Sequence, residues 1–161
     1  MGKEITIILK QQYEYIQYAR NTVLEYLKTI SDEDLTLENS SFGRGSIRNL
    51  LVHICDTYAA WIGKRALGMD LAFLPFNNYT NIEMCIDYFK QIDGYMFKFL
   101  EVFASDYEKE ILIDRNVGQV LKLSPLRLFS HVITHEFHHK GQIMSLSRHL
   151  GYIPVDADII R

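Results

Sequence analysis

Five of the six histidines, His131, His135, His138, His139 and His149, fall in one stretch near the end of the chain; His53 stands alone far upstream. Around that cluster Leu128, Val132, Ile143, Leu146 and Leu150 recur at helical spacing. Stepping from Val132 to Ile143 lands on His135 and His139, so imidazoles occupy positions where the pattern asks for leucine. An unpaired buried polar group costs about 1–3 kcal/mol, so both rings need partners. Histidines at i and i+4 project from one helix face and can share a metal ion. His53 interrupts a second apolar stripe between Leu50 and Ile54, with Thr57 one turn later. Were it to face the pair, three imidazoles would fill three of four tetrahedral positions. That is the arrangement of catalytic rather than structural zinc. Core histidines satisfied by hydrogen bonds fit the same pattern, and spacing leaves both readings open. His131 lies one turn before His135 on the same face, either extending such a site or lining its entrance.

Two tempting motifs fail on count. The string HEFHH, residues 135 to 139, contains a literal H-E-x-x-H with Glu136 in the general-base position. The extended protease form needs glycine at 142 and histidine at 145, but the chain has Gln142 and Ser145. No glutamate follows Glu136 to act as a later ligand. Glu136 with His139 also matches the Glu-x-x-His of di-iron bundles, which require a second copy that is absent. There is no G-x-S-x-G, no phosphate-binding glycine loop and no C-x-x-C.

Four long segments of helical periodicity must position these residues. The first, from about Lys3 to Ile30, carries Ile5, Ile8, Leu9, Ile16, Ala19, Val23 and Leu27. The second follows the loop SSFGRGS, with Ser46 as N-cap and Ile47, Leu50, Leu51, Ile54, Tyr58, Trp61 and Ile62 as its stripe; Gly63 and Gly68 weaken its far end. The third, capped by Thr80, carries Ile82, Cys85, Phe89, Met96 and Leu100. The fourth opens on Ser124-Pro125 and closes at Gly151, with Pro154 beyond. Between the last two, the alternation in EILIDRNVGQVLKL predicts a short hairpin around Asn116 to Gly118. The apolar stripes can be buried only against one another. The expectation is an all-α four-helix bundle with long connecting loops, forming one domain over residues 1–161.

Composition agrees with a packed domain. Of 161 residues 48% are apolar and 12% aromatic, which excludes a disordered chain. Seventeen Lys and Arg against 20 Asp and Glu leave a formal charge of -3, without the basic excess of a nucleic-acid binder. No stretch approaches the roughly 20 apolar residues of a membrane span, and the apolar run near the start is too short for a secretory signal. A cytoplasmic location follows as the expectation, with Cys55 and Cys85 as free thiols.

The segments SIRNLLVHICDTYAAWI (46–62) and SPLRLFSHVITHEFHHKGQIMSLSRHLGYIPVDADII (124–160) resemble the DinB family of damage-inducible four-helix-bundle metalloproteins. The resemblance rests on the run H-x-x-H-H-(K/R)-G-Q and on the earlier histidine in an (I/L)-x-x-L-L-x-H context. It implies an up-down-down-up bundle, a homodimer, and one divalent metal held by His53, His135 and His139. Lys140 stands where many members have arginine, and Gln142, at the family's glutamine, is expected to orient a ligand or water. Zinc is the default metal, although imidazole suits nickel, iron and copper as well. Relatives include metal-dependent thiol transferases, which suggests an enzyme activating a low-molecular-weight thiol or water, of transferase or hydrolase type. Glu136 and Asp56 are the candidates for a base, each with a solvated helix-face acid as the alternative. The competing expectation is a non-catalytic metal-binding stress protein, its ion closed in by a fourth ligand such as His131.

Overall fold

The computed structural model describes residues 2–161. Four long helices pack around one core: α1 (Gly2–Leu27), α3 (Ile47–Tyr58), α4 (Ile82–Val102) and α5 (Pro125–His149). A short helix α2 (Asp32–Thr36) lies in the first connection, where the sequence pattern predicts only a connecting loop. The serine before it explains its presence, since Ser31 Oγ accepts from Asp34 N and three acidic residues fill the first turn. α3 packs against both α4 and α5, and α1 completes the group against the same two helices.

Local chemistry sets most ends. Ser46 Oγ accepts from Asn49 N at 3.1 Å, and Ser124 Oγ accepts from Arg127 N ahead of Pro125. Gly151 takes φ +95°, the left-handed conformation that ends a helix cheaply only at glycine. The α4 cap differs by one position from expectation: Asn81, not Thr80, accepts from Met84 N. Both residue types cap well, so propensity could not separate them. The second long helix also does not simply fade at Gly63. It continues from Ala59 to Ala66 as a π-helix, in which Leu67 N donates to Ile62 O. Gly63 fits closely there, because a Cβ would lie 2.7 Å from Leu71 Cδ1 and 3.2 Å from Tyr95 Cδ2 and would make the Leu71 side chain shift.

The fold is not purely helical. β1 (Ile111–Asn116) and β2 (Gln119–Leu123) form the predicted antiparallel hairpin, with Ile113 opposite Leu121 and Gly118 at φ +77° in the turn. Ile113 is buried while Leu112 and Val120 face water, the alternation of a one-sided ribbon. Arg65 holds the hairpin against the π-helical turn by donating to the carbonyls of Asp114 and Arg115.

One polar network in the core joins all four long helices. Arg20 of α1 donates from Nε and Nη2 to the two carboxylate oxygens of Glu136 on α5, at 2.7 and 3.0 Å. Its Nη1 donates to Asp93 of α4 at 2.6 Å. Tyr58 of α3 donates to Glu136 at 2.6 Å, and Tyr13 of α1 donates to Asp93. The guanidinium also lies 4.7 Å over the Phe89 ring. Removing one partner from such a pair strands the others in a dry interior. Arg20→Met is expected to destabilise the fold by about 3–5 kcal/mol, read from denaturant unfolding. A loss below about 1 kcal/mol, the scale of an exposed pair, would contradict this account.

Candidate metal centre

Helical geometry brings the three histidines together from two elements. His135 and His139 sit one turn apart on α5, and His53 projects from the middle of α3 across the α3–α5 contact. Their ligating nitrogens all lie within 4.8 Å of one another. His135 Nε2 is 3.1 Å from His53 Nε2 and 3.1 Å from His139 Nε2. A ring nitrogen carries either one proton or one lone pair, so one atom cannot make both contacts good hydrogen bonds by donation. Tetrahedral zinc bonds of about 2.0–2.1 Å would set ligand nitrogens about 3.3 Å apart. The donor set therefore fits a shared cation.

Neighbouring groups fix the rings. His139 Nδ1 donates to Gln142 Oε1 at 2.6 Å, which leaves its Nε2 as the lone-pair nitrogen facing the other two. Thr57 Oγ1 donates to the His53 carbonyl and lies 3.5 Å from His135 Nε2, so the hydroxyl lines the site. His135 Nδ1 is buried and has no hydrogen-bond partner among the described residues, an unsatisfied atom whose cost the site carries.

Burial, more than any charge, keeps these imidazoles neutral. It pushes His53 down to about 4, aided by the Arg44 guanidinium and by His139. It pushes His135 down to about 3, aided by the neighbouring histidines. His139 is lowered too, chiefly by burial, although its bond to Gln142 works the other way. Arg44 is an exposed cation of the loop before α3, its carbonyl held by Asn49 Nδ2.

The other residues named from sequence are spread around this centre. His131 packs edge-on against Trp61, ring centroids 5.4 Å apart, with His135 at 6.0 Å, and it stands outside the three-histidine group. Neither candidate base joins that group among the described residues. Both Glu136 oxygens accept from Arg20, and one also from Tyr58, so its acid belongs to the core network. Asp56 accepts from Tyr88 of α4; burial raises its carboxyl and the Tyr88 hydroxyl offsets part of that. Lys140 donates to the Ala157 carbonyl and ties the C-terminal tail to α5. Sequence reasoning does not single out Arg20, Tyr13 or Asp93, and it takes Tyr58 only as part of an apolar stripe. Arg20 carried a signal, being a charged residue set among Ile16, Val23, Leu24 and Leu27 at helical spacing.

The model of the DinB family matches residues 1–161, the whole chain. The chain belongs to the DinB family. A solved DinB-like protein from Bacillus cereus ATCC 10987 is similar to it, with a TM-score of 0.61 and 19% identity. The match covers 92% of this chain and 95% of that one, and at such identity it speaks for a DinB-like fold. No curated protein matches.

The depressed imidazoles have a consequence for stability. In the unfolded chain they bind protons near pH 6.5, but in the fold only near 4 and 3 for His53 and His135. Between those limits the unfolded state binds more protons, so chelator-treated protein loses stability as pH falls from about 6.5 towards 4. Urea midpoints across that window should fall less steeply for a His53→Leu, His135→Leu double variant. Identical slopes in the two proteins would refute the assignment.

Proposed function

We infer that this DinB-family protein holds one divalent metal ion through Nε2 of His53, His135 and His139, and that it is an enzyme acting on a small thiol or water. The observation that carries the reading is the double contact at His135 Nε2, two nitrogens each at 3.1 Å, which a cation resolves and a single proton does not. When bound, an ion with three neutral ligands and an open position is a Lewis acid that favours the deprotonated form of a thiol or of water. Zinc is the default for this donor set; nickel, iron and copper suit it too.

The chain's own residues supply the rest. Gln142 orients His139 by accepting from Nδ1. Thr57, its proton already given to the His53 carbonyl, keeps lone pairs that can accept from an incoming S–H or O–H. Arg44 places a positive charge close enough to bear on His53 and His139, which favours an anionic reactant. His131 turns to Trp61 rather than into the group, in keeping with an open position. The four long helices would run up-down-down-up. Exposed Ile7, Ile8, Tyr15 and Tyr18 along α1 offer an apolar face for a homodimer. The free, buried Cys55 and Cys85 suit a reducing cytoplasm.

Metal analysis of untagged protein is expected to find one ion per chain and to lose it in His53→Ala and His139→Ala. Unchanged occupancy in both variants would overturn the site. The metal-loaded protein should conjugate low-molecular-weight thiols to electrophiles or hydrolyse simple esters, and chelation should abolish either activity. Full metal occupancy with no rate in both assays would remove the enzymatic reading and leave the metal site standing.

A further inference from the structure

A cleft of about 200 Å³ opens beside the histidine centre, between the π-helical turn, the hairpin and the start of α5. Its apolar wall is Leu121 and Leu123 of β2 with Leu128 of α5, and the Trp61 ring forms another side. Arg115 and Arg127 also line it, and among the described residues no acidic side chain does. Among the described residues neither guanidinium has a side-chain partner. The Arg115 carbonyl accepts from Arg65 and the Arg127 backbone N–H donates to Ser124 Oγ, and neither contact uses the Arg115 or Arg127 guanidinium. The first turn of α5, where Arg127 lies, adds the positive end of a helix dipole.

The cleft is built rather than incidental. The wide π-helical turn brings Trp61 and Arg65 out towards the hairpin, and Arg65 stacks on Trp61 at 4.7 Å while bonding two β1 carbonyls. That fixes the spacing of the walls. His131 touches both compartments, packing on Trp61 on one side and His135 on the other.

We propose that this cleft binds a small carboxylate with an apolar body, the body against Trp61 and the leucines and the carboxylate on Arg115 and Arg127. Guanidinium matches a carboxylate in a two-point hydrogen-bonded pair, which a neutral amide of equal shape cannot form. The inference rests on the metal-centre reading for its purpose alone: the cleft would present a substrate to the histidines past His131.

Trp61 is the single tryptophan of the chain, so its fluorescence reports on this cleft. In chelator-treated protein, 3-phenylpropionate should change that fluorescence saturably, and 3-phenylpropanamide should bind about tenfold more weakly. Arg115→Gln and Arg127→Gln should each weaken the acid about tenfold and leave the amide unchanged, while thermal unfolding and metal content stay at wild-type values. Equal affinity for acid and amide, or an Arg115→Gln, Arg127→Gln double variant that binds the acid as well as wild type, would overturn the proposal. So would the absence of any saturable change. Because binding is read without metal and metal content is read on the cleft variants, failure of the cleft and failure of the centre give different results.

Discussion

The position of α5 depends on the buried pair between Arg20 and Glu136. Both oxygens of Glu136 are occupied by one guanidinium, a fork-on-fork contact that tolerates little sliding or rotation. Tyr58 and Asp93 bring α3 and α4 to the same point. A buried ion pair adds little net stability compared with well-packed apolar side chains, because desolvation offsets most of the attraction. Its effect here is registry. A sliding helix would leave a carboxylate unpaired in a dry core, and that penalty selects one arrangement of α5. His135 follows Glu136 in that choice, being its chain neighbour.

The histidine centre uses the resulting precision. A metal-ligand group of three rings tolerates errors of a few tenths of an ångström at most. Two of its rings share a helix, so their relation is set locally; the third comes from α3 and depends on how the bundle docks. The core network crosses the same α3–α5 contact through Tyr58, which lies five positions beyond His53 on α3. Burial keeps the imidazoles neutral, the form that ligates, without any acid placed beside them. The centre therefore combines uncharged imidazoles with an Arg44 cation near enough to act on His53 and His139, and among the described residues none of the grouped side chains is a carboxylate.

What could be read from the chain follows the range of each interaction. Ser46, Ser124 and Gly151 were legible because caps and left-handed turns involve only a few neighbouring residues. The histidines were legible as polar interruptions of apolar stripes, and their meeting required only that α3 pack on α5. Gln142 was legible through family resemblance, although its partner atom was not. The Arg20 network was hidden because its members lie on four helices and only their convergence gives them partners. The π-helical turn was hidden for another reason: Gly63 reads as a helix-weakening residue, whereas its absent Cβ makes room for Leu71 and Tyr95. α2 hid in the connection between the first two long helices, because its five residues are too few to show a helical period. The cleft depends on the hairpin docking onto that π turn, so neither element alone foretold it.

The string HEFHH shows why a motif needs its structural surroundings. In a zinc protease the glutamate of H-E-x-x-H serves the metal-bound reaction. Consecutive residues on a helix differ by about 100° in direction, so a residue next to a ligand can face the ligand's site or a different one, depending on what packs there. Here α1 packs against α5 and offers a guanidinium, and Glu136 goes to it. The same letters thus split into two functions on adjacent faces of one turn. The histidines form the centre, and the glutamate locks the helix that carries them. An acid so committed is a poor base, since transferring a proton to it would give up a bidentate ion pair in a low-dielectric core. In the proposed reaction a proton leaving a reactant would therefore go to solvent or to a group other than Glu136.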